Sequence, residues 1–517
     1  MTPPPLSTTS APGRNKPPGA AAADMVETRE AAVIDVGSNS VRLVVYRIDG
    51  RAMTPTLNEK VMAGLGRGLN RTGRLSHEGA AAAQRALRRF AAIIADLGVR
   101  DVYAVATAAV REAEDGRAFA DRVARETGFR LRILSGADEA RLSALGVLAG
   151  EPEARGVVGD LGGSSLELIE IGDGLVGAGE TFALGHLSLA GPDGFQYERV
   201  AAAADAAFAK LDAIDHHAGA LYAVGGVWRA LGRIHMSLTD HPLRVLHHHE
   251  ISRADVFKVA ETVRRQSRRS LEKLEEAAAK RADSLPYGAV VLERLMLRGG
   301  FDRVVLSALG VREGVLLEQM DAAALAAHPL IAAAEAFAGP HARARAFGQA
   351  LARWIAPAFL DEAPLFSPTR DPVLRAAAAR LADLGGALHP DQRGEIMYDL
   401  VLRAPLAAIS HAERAFLAAC VHHRYTKAPP RDSAAYRRLL DDAARSAAQA
   451  VGASLRLGAD VSARSEALLA HFRLTRDEAG LALRVARKEA DLISDQAARR
   501  LDTLGAALGV ATRIELE

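Results

Sequence analysis

In "AAVIDVGSNSVRLVVYRIDG", residues 31–50, a polar turn separates two apolar runs. The apolar runs are typical of two buried strands. The carboxylate of Asp35 comes just before the turn. The turn residues are Gly37, Ser38, Asn39 and Ser40. A hairpin needs only two turn residues, so the additional small and polar positions indicate that this turn binds something.

A second stretch, "GVVGDLGGSSLELIEIGDGL" over residues 156–175, repeats the same pattern. Asp35 aligns with Asp160 and Arg42 aligns with Glu167, without a gap. The second turn consists of Gly162, Gly163, Ser164 and Ser165. Internal similarity over about one α/β unit predicts two like domains related by a pseudo-twofold axis. The two hairpins are then expected to face one another across a cleft.

The residue types of both turns suit a phosphate-binding site. Glycine lets the backbone approach an anion, and successive N–H groups and serine hydroxyls can hold phosphate oxygens. An Asp just before each turn can hold a divalent cation directly or through water. A plain Gly/Ser hairpin with a turn-capping Asp is the alternative. The repetition of the whole pattern in register favours the phosphate site.

Composition places the chain among ordinary globular proteins. With 517 residues, of which 49% are hydrophobic and 25% charged, two to four domains are expected. A net charge of +2 gives no strong field for nucleic acid or a membrane, so neither is expected as a partner. No apolar run reaches the roughly 18 residues of a spanning helix. Cys420 is the only cysteine, which excludes an intrachain disulfide and fits a cytoplasmic location.

The order of apolar runs predicts four segments. Residues 1–30, rich in Pro, Ala and Ser, are expected to form a disordered tail. Alternating strands and helices predict α/β domains over residues 31–149 and 150–327. Residues 328–517 show Ala/Leu/Arg helical periodicity and predict a separate, mainly helical domain. Within it, "GASLRLGADVS" and the final "TRIELE" are expected as short strands.

Six motifs in order give the chain a family resemblance. They are "VIDVGSNSVRLVV", "ATAAVREA", "LSGADEARLSALGVL", "VVGDLGGSSLELIEI", "LYAVGGVWRALGRI" and "LSALGVREGVL". Over residues 31–320 the chain resembles the exopolyphosphatase and guanosine pentaphosphate phosphatase (Ppx/GppA) family. The resemblance implies two actin-like domains of the Hsp70 and sugar-kinase ATPase superfamily, with a ribonuclease H-like fold. It also implies a helical, HD-like C-terminal domain, as in longer family members.

The resemblance also implies roles for particular residues. Glu139 of "SGADEAR" would activate the attacking water, and Arg111 of "ATAAVREA" would lie near the phosphates. Both turns, together with Gly225 and Gly226, would bind phosphate. Mg²⁺ (or Mn²⁺) would be held by Asp160, Glu167 and, through water, Asp35. From the residues alone, Glu139 could merely favour a helix N-terminus and Arg111 could pair with a neighbouring Glu.

Some positions depart from the family pattern. Ser164 and Leu166 stand where Gly and Thr are common, and Val227 replaces a Ser or Thr. The acids are intact, so these changes bear on substrate preference. Arg312 and Glu313 of "GVREG" match a late motif whose role is structural as often as functional.

The resemblance implies hydrolysis of a terminal phosphate from inorganic polyphosphate by a homodimer. The nearest alternative is a guanosine pentaphosphate (pppGpp) 5′-phosphatase that uses the same acids. A non-catalytic sensor of polyphosphate or guanosine alarmones is a different class of function, and a phosphotransfer kinase is a fourth. Intact Glu139, Asp160 and Glu167 argue against the sensor.

Two histidine-rich stretches suggest metal sites. In "VLHHHEIS", residues 247–249 are adjacent on an extended segment and point to opposite faces, so they would chelate poorly. A surface or interdomain loop is therefore expected there. In the C-terminal region Ala382 precedes Asp383, where an HD metal site needs His. Metal-dependent HD hydrolysis is not expected, although other histidines remain: His389, His411, His422 and His423.

Overall fold

The structure is a computed structural model that describes residues 28–209, 219–274, 281–339 and 341–517. Except for its last three residues, the tail predicted over residues 1–30 lies outside the described residues. Among the described residues, no helix combines the length and apolar character needed to cross a bilayer.

The first domain is built on a five-stranded sheet of order β3-β2-β1-β4-β5. Its strands are β1 Arg29–Val36, β2 Val41–Asp49, β3 Ala52–Val61, β4 Asp101–Ala106 and β5 Arg132–Ile133. Strand β2 is antiparallel to β1 and β3, whereas β1, β4 and β5 are parallel. Its helices are α1 Leu69–Thr72, α2 His77–Leu97, α3 Ala108–Glu112 and α4 Gly116–Thr127. Helix α2 begins where the Ser76 side chain accepts the Gly79 N–H, and it buries Leu87 and Phe90.

The second domain repeats this arrangement in a six-stranded sheet of order β10-β11-β9-β6-β7-β8. Its strands are β6 Gly156–Leu161, β7 Leu166–Gly172, β8 Leu175–Phe182, β9 Ala220–Val224, β10 His249–Ser252 and β11 Arg303–Leu306. Its helices, with α5 preceding the sheet, are α5 Gly136–Gly150, α6 His186–Leu189, α7 Tyr197–Phe208, α8 Gly226–Leu238, α9 Arg253–Arg265, α10 Arg268–Leu274, α11 Leu285–Gly299 and α12 Val311–Leu317. Apart from the additional edge strand β10, the strand order equals that of the first sheet. This duplication confirms the predicted class of two actin-like domains.

Two helices cross between the sheets. Helix α5 buries Ala144 and Val147 against the second sheet, and α12 buries Leu316 against the first. They cross closely, since a Cβ built on Gly314 would lie 1.9 Å from the carbonyl oxygen of Leu142. Helix α12, which follows the strands of the second sheet, therefore covers the first sheet. The domain limits at 149/150 and 327/328 stay a prediction.

The C-terminal region is mainly helical, as predicted. Its helices are α13 Ala322–Ala326, α14 Pro329–Ala338, α15 Ala342–Ile355, α16 Arg370–Leu381, α17 Arg393–Arg403, α18 His411–His423, α19 Ala434–Leu439, α20 Asp442–Ser462, α21 Glu466–Leu469 and α22 Asp495–Leu508. Short 3₁₀ helices cover Ala356–Phe359, Leu384–Ala387, Pro390–Gln392 and Arg487–Leu492. A small sheet joins β12 Phe472–Asp477, β13 Gly480–Val485 and β14 Thr512–Leu516. Strand β14 confirms the strand predicted at "TRIELE".

The strand predicted at "GASLRLGADVS" is wrong, because residues 452–462 form the second half of helix α20. The helix begins at the Asp441 cap, and Ala and Leu continue it as strong helix formers. Its glycines serve packing: a Cβ on Gly452 would lie 2.4 Å from His423 Cβ, and one on Gly458 would lie 2.4 Å from Leu351 Cδ1.

A surface or interdomain loop is expected at residues 247–249, and only the interdomain position is confirmed, with His249 starting strand β10. His249 is 1% exposed, and His247 and His248 are largely buried. The segment does lie between domains, because His411 Nε2 donates to the carbonyl of His247 at 3.2 Å. Residues 247–249 are shielded because the C-terminal region covers this edge of the second domain. Asp383, in contrast, pairs with Arg464 at 3.1 Å.

Candidate active site

The two predicted turns meet at the centre of the molecule. Both are closed by the same bond, from the N–H of the first glycine to the carbonyl of the last serine, at 3.0 Å in residues 37–40 and 2.9 Å in residues 162–165. A Cβ built on Gly163 would lie 3.2 Å from Ser38 Cβ. The hairpins therefore face one another as the repeat predicts, and their contact at Gly163 leaves little room for a side chain.

A cavity of about 190 Å³ opens beside these turns and collects most of the predicted site residues. Those lining it are Asp35, Gly37, Ser38, Asn39, Ser40, Glu139, Asp160, Gly162, Gly163, Ser165, Gly225 and Gly226. Three predicted residues are not part of the lining: Arg111, Ser164 and Glu167. Ser164 is 5% exposed, and its carbonyl accepts from Gly185 N–H and Ser188 Oγ.

Gly225 and Gly226 form the N-terminus of helix α8, which opens onto the cavity. Gly225 has φ of +101°, and a Cβ there would lie 2.3 Å from the carbonyl oxygen of Leu161. Only glycine fits this position. The free N–H groups and positive end of the helix dipole favour an anion in front of it.

Glu139 is positioned by the cap of helix α5. Ser135 and Asp138 form a reciprocal capping box, which leaves Asp138 at the surface and turns Glu139 inward. Glu139 is 7% exposed, and its Oε2 accepts from Arg111 Nη1 at 2.9 Å. Burial raises the pKa of Glu139 to about 7, against the lowering effect of Arg111. A carboxylate with this pKa can exchange a proton with water near neutral pH.

Two further carboxylates come from the second hairpin, where the β6–β7 register sets Asp160 opposite Glu167. Asp160 accepts from the Ser143 hydroxyl, and burial raises its pKa. Neither oxygen of Glu167 has a well-formed hydrogen bond within the described parts of the chain, and the residue is 1% exposed. Burial and the charge of Glu139 raise the pKa of Glu167 well above its usual range.

Arg111 lies between the two buried glutamates. Its Nη1 binds Glu139 and the carbonyl of Leu134, and its Nη2 is 4.0 Å from Glu167. Its contact with Glu112 is longer than that with Glu139, at 3.6 Å. The guanidinium is therefore placed to set the charge of the glutamates. Its predicted contact with phosphate stays a prediction.

Five basic side chains that the sequence did not assign to the site line the cavity: Arg42, Lys60, Arg229, Arg281 and Arg312. The β2–β3 register sets Lys60 opposite Arg42. Burial, and then the charges of Arg281 and Arg42, lower the pKa of Lys60 to about 8. Arg312 donates to Asp35 at 3.0 Å, so this carboxylate already has a cationic partner. A cluster of cations around Lys60 is suited to a polyanion.

Sequence signals for these cations were weak. Lys60 is the penultimate residue of a strand with no motif, and only its pairing with Arg42 brings it to the cavity. Arg281 lies against the start of α8, since a Cβ on Gly226 would lie 2.1 Å from its Nη2. His186, which also lines the cavity, has a pKa lowered to about 4 by burial and Arg281. Strand pairing and chain crossing, rather than local pattern, bring these residues together.

Two α/β domains with the same strand order, which enclose phosphate-type turns, buried acids and a cation cluster, define a two-domain protein whose cleft suits a phosphorylated anion. The "Ppx/GppA phosphatase family" model matches residues 44–323, more than half of the 517 residues. The chain therefore belongs to the Ppx/GppA phosphatase family. An "Exopolyphosphatase, C-terminal" model matches residues 330–515, so the chain has the long, two-part architecture.

Curated relatives and solved structures agree with this assignment. The chain is 38% identical to Exopolyphosphatase 1 of Mycobacterium leprae over 26% of the chain and 41% of the relative. It is 36% identical to a guanosine-5′-triphosphate,3′-diphosphate pyrophosphatase of Aliivibrio fischeri over 28% of the chain and 29% of the relative. These matches span less than half of each relative. The crystal structure of an exopolyphosphatase from Cytophaga hutchinsonii is 22% identical and superposes with a TM-score of 0.52 over 57% of this chain and 99% of that one, which shows the shared fold.

Proposed function

We propose that this protein is an exopolyphosphatase, which hydrolyses the terminal phosphoanhydride bond of inorganic polyphosphate and releases orthophosphate. The observation that carries the proposal is the buried Glu139, with a pKa of about 7, in a cavity lined by two phosphate-type turns and five basic side chains. The name of the Mycobacterium leprae relative supports the same substrate.

The residues divide the work between binding and proton transfer. The N–H groups of both turns and of the α8 N-terminus bind phosphate oxygens, while Arg42, Lys60 and Arg281 neutralise their charge. Ionised Glu139 accepts a proton from water, and the water oxygen attacks the terminal phosphorus in line. The bond from this phosphorus to the bridging oxygen breaks, and the shortened chain leaves with that oxygen. Arg111 acts on the reaction by holding Glu139 ionised.

Mg²⁺ or Mn²⁺ fits the donor set on the second hairpin. Both oxygens of Glu167 are buried without a well-formed partner, and Glu139 and Asp160 add like charge beside them. Hard cations prefer such carboxylate oxygens together with water and phosphate. Asp160 and Glu167 would hold the ion, with Asp35 acting through water. When bound, a divalent cation would neutralise charge on the phosphates.

A pppGpp 5′-phosphatase is the second candidate. The cavity of about 190 Å³ is smaller than the roughly 300–1,000 Å³ of pockets that enclose a drug-sized ligand. It would therefore admit terminal phosphates and leave the rest of a substrate outside, whether polyphosphate chain or guanosine. The printed name of the Aliivibrio fischeri relative supports this alternative. A sensor without turnover is less consistent with three acids meeting at the turns.

A substrate comparison tests the proposal. The purified full chain with Mg²⁺ is incubated with long-chain polyphosphate, pppGpp and ATP, and orthophosphate release is followed. We expect polyphosphate to give the highest kcat/KM. Turnover of pppGpp alone would select the second candidate, and binding without turnover would select the sensor.

The matched pair Glu139→Ala and Asp138→Asn locates the activity. Glu139→Ala should abolish release, whereas Asp138→Asn should retain it, because Asp138 faces solvent in the capping box. Equal activity in both variants would contradict the role of Glu139.

The homodimer and the cytoplasmic location remain proposals that follow from the family. Light scattering of the full chain is expected to give twice the 54.7 kDa chain mass. A measured mass equal to that of one chain would contradict the dimer.

A further inference from the structure

Outside the cleft, buried histidine rings cluster where the second domain meets the C-terminal region. His241 follows helix α8, His249 begins strand β10, and His411 begins helix α18. One ring nitrogen from each of the three lies within 4.8 Å of the others. The ring centroids are 4.7–5.7 Å apart. His235, near the end of α8, adjoins His249 with ring centroids at 5.1 Å.

The neighbours of His249 in sequence do not form this cluster. The prediction that adjacent histidines here diverge is wrong for His247 and His248, because His248 has φ of +61° and their ring centroids lie 4.4 Å apart. His249 instead meets a residue eight positions earlier and one far along the chain, His411. No local spacing pattern could have predicted this group.

We propose that His241, His249 and His411 bind a transition-metal dication, with Zn²⁺ the expected ion, and that this ion ties the second domain to the C-terminal region. A tetrahedral zinc site with Zn–N bonds of about 2.0–2.1 Å holds its ligand nitrogens roughly 3.4 Å apart. The three nitrogens all lie within 4.8 Å of one another, so small side-chain shifts would bring them to this spacing. Water would complete the coordination.

Hydrogen bonds between the rings pair some of these nitrogens and leave others without a partner. His241 Nε2 lies 2.8 Å from His411 Nδ1, and His235 Nδ1 lies 2.8 Å from His249 Nε2. Each pair can share one proton. His249 Nδ1 and His235 Nε2 remain buried without a hydrogen-bond partner in the described part of the chain. An unpaired polar atom is costly in a buried site. When His249 donates to His235 through Nε2, its Nδ1 carries the free lone pair that a metal would engage.

The orientation of His411 also suits a metal ligand. Its Nε2–H donates to the carbonyl of His247 at 3.2 Å, so the neutral ring carries its lone pair on Nδ1, which faces His241. A carbonyl that accepts the remote N–H is a common support of metal-bound histidine. His241 is only half-buried, which leaves a route for the ion from solvent.

The cluster favours the neutral, ligating form of its rings. Burial, and then the neighbouring rings, lower the pKa of His249 to about 2. Burial and His241 lower the pKa of His411 to about 4. Neutral imidazole is the form that binds Zn²⁺. Because all donors here are nitrogens, the site would prefer Zn²⁺ over the Mg²⁺ expected at the oxygen donors of the cleft.

Metal content of the full chain, purified without a polyhistidine tag, tests the site. The protein is stripped with chelator, reloaded with Zn²⁺ or Co²⁺, and freed of excess metal. We expect about one tightly held equivalent per chain, and for Co²⁺ the intense visible absorption of a tetrahedral site. The midpoint of thermal unfolding should rise on reloading, because the ion binds the folded state.

Variants assign the metal to these ligands. His411→Ala and the half-buried His241→Gln should each lose most of the equivalent and the Co²⁺ absorption, while His77→Gln, at an exposed histidine on α2, should keep both. Circular dichroism checks that each variant is folded. Glu139→Gln should also keep the metal, which separates this site from the proposed activity.

Three results would overturn the inference. They are no retained metal in the wild-type chain, a Co²⁺ spectrum typical of octahedral coordination, or equal retention by His241→Gln and His77→Gln. The metal content of the reloaded wild-type chain can be measured without any substitution. The proposal therefore stays testable even when a variant fails to fold.

Discussion

Replacing Arg111 with Gln tests whether this residue sets the charge of Glu139 or contacts the substrate. Its Nη1 lies 2.9 Å from Glu139 Oε2, and Glu139 is 7% exposed. Because Arg111 lowers the pKa of Glu139 and burial raises it, removing the guanidinium must raise the pKa above its value of about 7. The effect of Arg111→Gln on the pKa of Glu139 can therefore be measured from the pH dependence of activity.

The magnitude follows from the pair. An opposite charge at this distance shifts a carboxyl pKa by roughly 1–3 units, so the acidic limb of kcat/KM should move from about pH 7 to roughly pH 8–10. At pH 7 the ionised fraction of Glu139 then falls roughly 5- to 500-fold. Ionised Glu139 is the base, so the acidic limb of kcat/KM rises with pH in both proteins. The ratio of variant to wild type should recover as pH increases.

The assay is the initial rate of phosphate release at low polyphosphate concentration, from about pH 5.5 to 9.5, which reports the groups of the free enzyme. Arg132→Gln is the matched control, because Arg132 pairs with Glu318 at 3.0 Å near the protein surface. The acidic limb of kcat/KM in Arg132→Gln should stay at the wild-type pH. Parallel profiles for Arg111→Gln and wild type, with a constant ratio at every pH, would refute the reasoning and indicate that Arg111 binds the phosphate instead.

Three further predictions concern the cleft. Gly225→Ala should lower the free energy of unfolding in denaturant by about 2–4 kcal/mol, because Gly225 has a positive φ and a Cβ there would lie 2.3 Å from the carbonyl oxygen of Leu161. Gly172→Ala is the control, because a Cβ there meets open space and should leave stability unchanged. Equal effects of the two substitutions would contradict this. Charged Lys60 binds the anion below its pKa of about 8, so wild-type kcat/KM should fall above that pH. Lys60→Met should remove this alkaline loss and weaken polyphosphate binding roughly tenfold. An unchanged alkaline limb would argue against this role of Lys60. Chelation of divalent cations should abolish phosphate release and Mg²⁺ or Mn²⁺ should restore it, whereas full activity in chelator would exclude the metal.

The repeat around Asp35 and Asp160 was sufficient to predict the duplicated fold and its facing turns. Turn chemistry is local, because Gly and Ser at fixed offsets specify a tight turn wherever the hairpin is placed. Glu139 could be assigned only through the family resemblance, because an acid at a helix start usually interacts with the helix dipole. The structure distinguishes it from Asp138 by burial.

The remaining features depend on contacts between distant segments. Lys60 enters the cleft through strand pairing, and His411 meets His249 through docking of the C-terminal region. Neither position carries a motif. In helix α20, Gly452 and Gly458 permit close packing against His423 and Leu351, contacts that the local sequence does not indicate. Sequence pattern predicts local backbone well, and it predicts non-local neighbours only where a repeat or a family links them.

Hydrolysis of a polyphosphate of defined length in ¹⁸O-labelled water tests the central claim most directly, namely that Glu139 activates water to attack the terminal phosphoryl group. Wild-type protein should release orthophosphate that carries about one ¹⁸O atom, while the shortened chain stays unlabelled, and Glu139→Gln should slow release by roughly 10²–10⁴-fold. Label in the remaining chain, or undiminished release by Glu139→Gln, would contradict the account.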